Sequence, residues 1–305
     1  MYTDLLNLMG MMLLMIICGL VLHRQKLITE AGKKSLVNLI IYLLLPCNII
    51  KAFCMELSME ELKEMSTVLV LSMGIQLFYV LVTRTAYRHF PEEERPVYQY
   101  ATVCSNAGFL GNPISQGVFG DLGLLYTSVF LIPQRIVMWT AGVSFFAKPQ
   151  SRLEVLRKVL LHPCIIAVGI GMVIFLLQIQ LPPVVDSTVT SFSRCCTGMT
   201  MVYIGTVLAG VDYRTLVSGR QIFFAVLRLA VIPGLVYGFC QLIHAAPLVT
   251  GVCVLMSAMP AGNTTAILAS KYGADEETAV RCVVFTTALS LISTPLWSML
   301  LTAAL

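Results

Sequence analysis

The chain has 305 residues, 57% of them hydrophobic and 12% charged, with a mean hydropathy of +0.84 and a net charge of +4. That composition lies far outside the range of soluble globular proteins and defines an integral membrane protein. The apolar runs do not alternate with a period of two, which excludes a β-barrel, and the small positive charge gives a nucleic-acid partner no support.

A helix needs about 20 apolar residues to cross a bilayer. Ten runs meet that need, at 5–22, 35–54, 65–83, 98–118, 123–146, 163–181, 187–210, 222–244, 248–270 and 279–302. The first opens in MYTDLLNLMG, without Lys or Arg ahead of it and without a small-residue cleavage site leading into a soluble domain, so it reads as a true helix and not a signal peptide. Basic residues sit in alternate loops: Arg24, Lys26, Lys33 and Lys34; Arg84, Arg88 and Arg95; Lys148, Arg152, Arg157 and Lys158; Arg214 and Arg220; Lys271. The intervening loops and both termini hold only Lys51 and Lys63. By the positive-inside rule the basic loops are cytoplasmic and both termini lie on the other side of a cell membrane.

The fourth run contains SNAGFLGNP, residues 105–113, whose Asn, Gly and Pro weaken or end a helix at a depth where little else is allowed. An offset near 152 lays this stretch on SAMPAGNTT, residues 257–265, inside the ninth run. The same offset lays Gly19 on Gly171 and VFGDLG on KYGADE. Five spans repeated once place the second copy upside down, which is the inverted-repeat signature of a secondary transporter. The expected fold is therefore an all-α polytopic membrane protein of ten transmembrane helices. Residues 1–152 and 153–305 form two inverted five-helix repeats, with interrupted helices 4 and 9 that cross.

An interrupted helix exposes unpaired N–H groups on one side and unpaired carbonyls on the other. Gly108 and Gly111 are expected to permit unusual backbone angles, and Pro113 and Pro260 to stop helix continuation. Asn106, Asn112 and Asn263, with Thr264 beside it, would offer polar groups to a substrate. Packing kinks are the plainer alternative; two breaks at matching positions favour a binding site. Arg135, Arg194 and Arg228 fall within spans, whereas every Asp and Glu lies in a loop or near a span end. A site near such cations suits a carboxylate, and Arg135, after Pro133 and Gln134, is the cation favoured for it. For Arg194 and Arg228 the alternative is snorkelling to the interface or pairing with a backbone carbonyl.

Other signals are quiet. Phosphate-loop, zinc-protease, hydrolase-elbow and dinucleotide fingerprints are absent, so no enzyme and no cofactor is expected. The ten cysteines form no Cys-x-x-Cys pair and read as packing, not as a metal site. The four histidines fall near span ends, where headgroup contact is expected. PEEERP at 91–96 reads as a solvated loop, MELSMEELKE at 55–64 as an interfacial helical turn, and GLVYG at 234–238 as a close-packing pattern.

SNAGFLGNPISQGVFG, followed half a chain later by MPAGNTTAILASKYGADEETA, resembles the bacterial branch of the auxin efflux carrier family over essentially the whole length. The resemblance implies a scaffold from spans 1, 2, 6 and 7, a mobile domain from spans 3, 4, 5, 8, 9 and 10, elevator-like transport by a homodimer, and a substrate site where spans 4 and 9 cross. The implied function is efflux of small organic anions across the lipid bilayer. A bile-acid-type sodium symporter and a non-transporting sensor with the same fold are the alternatives. The first break matches the Asn-Pro-Asn pattern of plant members only as Asn112-Pro113, and the second has Pro260 with Asn263 displaced.

Overall fold

A computed structural model describes residues 2–54, 58–146, 152–209 and 217–304. The described residues form helices joined by short non-helical segments. Its helices are α1 (Tyr2–Arg24), α2 (Glu30–Phe53), α3 (Met59–Ala86), α4 (Arg95–Val103), α5 (Ala107–Gly142), α6 (Arg152–Leu160), α7 (Pro163–Leu177), α8 (Pro183–Ala209), α9 (Gly219–Leu242), α10 (Pro247–Ser257), α11 (Thr264–Tyr272) and α12 (Glu276–Ala304). Five of them, α2, α3, α5, α9 and α12, are long and apolar enough to cross a membrane, and shorter apolar helices occupy Gly10–Arg24, Pro163–Leu177 and Pro247–Ser257.

Local chemistry sets the ends. Thr29, Ser58 and Ser218 each accept a hydrogen bond from a backbone N–H in the first turn of α2, α3 and α9, closing donors that have no partner within a helix. MELSMEELKE is therefore mostly the capped start of a long helix, with residues 55–57 outside the described part. PEEERP is less solvated than expected, because Glu94 meets Arg220, at the start of α9, at 2.8 Å.

Proline shapes the interiors. A turn of wide, π-type helix lies directly ahead of Pro46 (Ile40–Leu44), Pro113 (Ala107–Gly111) and Pro233 (Leu227–Val231). Proline lacks an N–H and its ring clashes with the carbonyl four residues back. The residue before each proline instead bonds five residues back: Leu45 to Ile40, Asn112 to Ala107, Ile232 to Leu227. The helix widens and runs on.

Gly120 and Gly273 are the glycines with positive φ among the described residues, at 70° and 68°. They stand at matching places in VFGDLG and KYGADE, and only glycine takes that conformation without steric cost. At Gly120 the chain folds back within α5, so that Thr127 donates to Ser115 at 2.8 Å and Gln134 returns to Ser105.

The closest helix contact joins α1 and α8. A methyl group on Gly19 would lie 2.0 Å from the Val202 carbonyl oxygen, and one on Gly205 would lie 2.0 Å from that of Ile16, so the backbones touch through two glycines. Gly171 in α7 similarly receives the Phe53 ring of α2, 2.6 Å from where a methyl would be. GLVYG is not a close-packing pattern within the chain: a methyl on Gly238 would meet nothing within 4 Å, because that face points outward.

Candidate functional site

The first break lies about two turns earlier than its proline suggested. Helix α4 ends at Val103, and Cys104, Ser105 and Asn106 are not helical; the second break runs from the end of α10 to Asn263. The two breaks clasp each other. Asn106 donates its backbone N–H to the Pro260 carbonyl at 2.8 Å, and Gly262 donates to the Cys104 carbonyl at 2.8 Å, around an antiparallel bridge between Ser105 and Ala261. Each strand thus gives one hydrogen bond and receives one. The pairing sets an offset of 156 at the breaks, one helical turn beyond that read from sequence.

Neighbouring helices brace the clasp. Gln134 of α5 donates to the Ser105 carbonyl at 2.8 Å and accepts from the Ser105 hydroxyl at 3.0 Å. From the other side Thr286 of α12 accepts from the Ala261 N–H at 3.1 Å. The helices that leave the breaks begin at Ala107 and Thr264, and neither Asn106 nor Asn263 closes its helix with its side chain. Both positive helix ends therefore face the crossover with first-turn donors unclaimed by a cap.

The expected site residues separate into groups. Asn106 and Pro260 belong to the clasp itself, together with Cys104 and Gly262, which were not among the expected residues. Asn263, whose amide donates to the Tyr203 hydroxyl of α8 at 3.1 Å, and Thr264 stand at the start of α11. Contrary to the expectation from sequence, Gly108 and Gly111 do not supply unusual backbone angles: both are in the wide turn, and Gly111 has φ −68° and ψ −43°. Their role is closeness, since a methyl on Gly108 would lie 3.3 Å from Arg135 Nη2 and one on Gly111 would lie 2.8 Å from Met256 Sδ. Pro113 does not end the helix but sits within it, because the wide turn absorbs its missing donor. Asn112 is buried, with an amide oxygen that has no partner.

The three arginines differ sharply. Arg194 is exposed on α8. Arg135 is half-buried, reaches toward Gly108, and places Nη1 2.7 Å from His162 Nε2. Arg228 is fully buried in the wide turn of α9. Its Nε donates to the Met259 carbonyl at 3.1 Å, its guanidinium lies 5.0 Å from the centre of the Tyr79 ring, and Nη1 and Nη2 have no hydrogen-bond partner. No Asp or Glu is buried among the described residues, so that charge is uncompensated by an acid. Sequence reasoning left Arg228 out of the site because an arginine in an apolar run shows neither which way it faces nor what it reaches.

Chemistry that would need a metal finds no ligand cluster among the described residues. The architecture is that of a helical membrane transport protein. A family model described as a membrane transport protein matches residues 5–157 and again 151–298, so the chain belongs to the auxin efflux carrier family and is not an enzyme. No curated protein matches it closely.

Proposed function

We propose that the protein is a secondary carrier of small organic anions, carboxylates foremost, which bind where the two broken helices cross. One observation carries this reading: two arginines without a carboxylate partner among the described residues converge on the crossover, one behind each break. Arg135 stands over the first turn of the helix that leaves break one and can touch a ligand. Arg228, sealed behind Met259, acts as a fixed positive charge. Two helix N-termini add their dipoles, and such a set favours an anion.

The transport mode follows from the repeat. A carrier of ten spans in two inverted halves is supported by the double match of the family model, the reciprocal clasp, and the paired turns at Gly120 and Gly273. The crossings of α1 with α8 and of α2 with α7 are exchanged by the same symmetry, with a glycine at each. These four helices pack chiefly on one another and form the proposed scaffold of a homodimer, against which the remaining helices move as an elevator with both termini outside. With no buried carboxylate among the described residues to relay protons, the membrane potential is the driving force. A potential of 100 mV is worth about 2.3 kcal/mol per charge, or roughly 50-fold accumulation outside.

Proteoliposomes test this. Flux of a labelled monocarboxylate is expected to follow an imposed potential and ignore a sodium gradient. Flux that requires sodium would reassign the protein to sodium symport, flux that collapses with the proton gradient would refute uniport, and binding without flux would make it a sensor.

A further inference from the structure

His162 heads α7, in the proposed scaffold, whereas Arg135 belongs to the proposed moving part. Their contact at 2.7 Å spans the two. His162 is also the N-cap of α7, with Nδ1 3.2 Å from the Cys164 N–H. Both partners can only donate: a guanidinium has no lone pair to offer and neither has an amide N–H. A neutral imidazole has one nitrogen able to accept and one that carries hydrogen. It can therefore satisfy Arg135 or the start of α7, not both, and Arg135 is held by a partner with a competing claim.

Arg135 also lies within reach of the crossover, where the absence of a side chain on Gly108 leaves room for Nη2. From these two contacts we propose that His162 parks Arg135 when the site is empty, and that an arriving carboxylate takes Arg135 from it, freeing the moving part from the head of α7. This rests on the anion-carrier reading above and assigns His162 as a positioning residue. A carboxylate offers Arg135 two acceptor oxygens and a full negative charge, against one neutral nitrogen. The exchange makes ligand arrival and release of the scaffold a single event.

Among the described residues Arg135 is the charged group acting on His162, and the other titratable neighbour is Cys164 of α7 itself. Burial, then the adjacent guanidinium, holds the His162 pKa down to about 3. The imidazole thereby reports where Arg135 is.

The test uses the full-length protein in nanodiscs with labelled histidine rings, of which there are four, and His162→Gln to identify one of them. In the wild type His162 should stay neutral well below the ordinary range. Arg135→Gln should raise its midpoint by about 1 pH unit, burial holding down the rest. A panel of acetate, benzoate and succinate should contain a member that raises it likewise in the wild type, where the matching amide does nothing. A His162 that titrates near 6.5 in the wild type, or is unmoved in Arg135→Gln, overturns the parking. A carboxylate that stabilises the protein against heat without moving His162 overturns the exchange and leaves the carrier reading standing. If no carboxylate stabilises the protein while His162 still answers to Arg135, exchange and carboxylate reading fall together.

Discussion

Replacing Arg228 by Met separates an electrostatic role from a structural one. Burying an unpaired ion carries an effective penalty of several kcal/mol, which Met of similar length removes. Against that stand the lost hydrogen bond to the Met259 carbonyl, about 1.5 to 3 kcal/mol for a charged donor, and the contact with the Tyr79 ring, about 0.5 to 2 kcal/mol. The sum lies between neutral and about 3 kcal/mol in favour of the variant. Binding should move the other way. A carboxylate about 8 Å from the guanidinium, at an effective dielectric of 20, loses about 2 kcal/mol, or roughly 30-fold in affinity. Arg228→Lys keeps the charge and should keep most of that affinity. Thermal unfolding in detergent, with and without a carboxylate that binds the wild type, measures both quantities. Wild-type affinity in Arg228→Met would place the charge outside the site, and destabilisation beyond about 2 kcal/mol would make Arg228 a strut.

Three further outcomes are expected. Gly19→Ala or Gly205→Ala should destabilise by more than about 3 kcal/mol or prevent folding, since the added methyl would lie 2.0 Å from a backbone oxygen; Gly238→Ala should be silent, and size-exclusion profiles with melting curves distinguish them. Pro113→Ala restores a donor, should stabilise by about 1 kcal/mol, and tightens the wide turn so that Asn112 shifts and carboxylate affinity falls; Pro260→Ala leaves its clasping carbonyl in place and should bind nearly as the wild type does, as titration calorimetry would show. The depressed His162 pKa gives a pH dependence of stability. Below pH 6.5 the unfolded chain takes up a proton that the folded protein refuses, so stability present above pH 6.5 is lost as pH falls toward about 3, by up to about 1.4 kcal/mol per unit, and His162→Gln should flatten that slope in denaturation measured from pH 6 to 4.

The sequence displayed the site's neighbourhood more clearly than its wiring. Two polar stretches in apolar runs marked the breaks, and the paired VFGDLG and KYGADE turns recurred as the glycines with positive φ. Proline misled the finer placement. A wide turn accommodates Pro113 within the helix, and no propensity scale separates that from a stop. Gln134, Thr286 and Arg228 were not assigned to the site for a different reason: a helix apolar on all sides has no stripe to tell inward from outward, so which polar residue reaches a break depends on how the helices rotate. The same blindness promoted GLVYG, whose Gly238 faces outward, over the Gly19 and Gly205 contact, whose partners lie in separate helices.

The reciprocal bonds between Asn106 and Pro260 and between Gly262 and Cys104 have a mechanical meaning. They tie the midpoints of the two interrupted helices, where each is weakest, into one knot, and Gln134 and Thr286 pin the knot to the helices beside it. Sliding one interrupted helix past the other would rupture two backbone bonds at once where the residues are buried in protein. The cradle is therefore stiffer than the helices that form it. On the proposed carrier reading, an anion bound there would be carried across as freight in a sealed crate, and the compliance that transport demands would have to be found at the walls of the shaft.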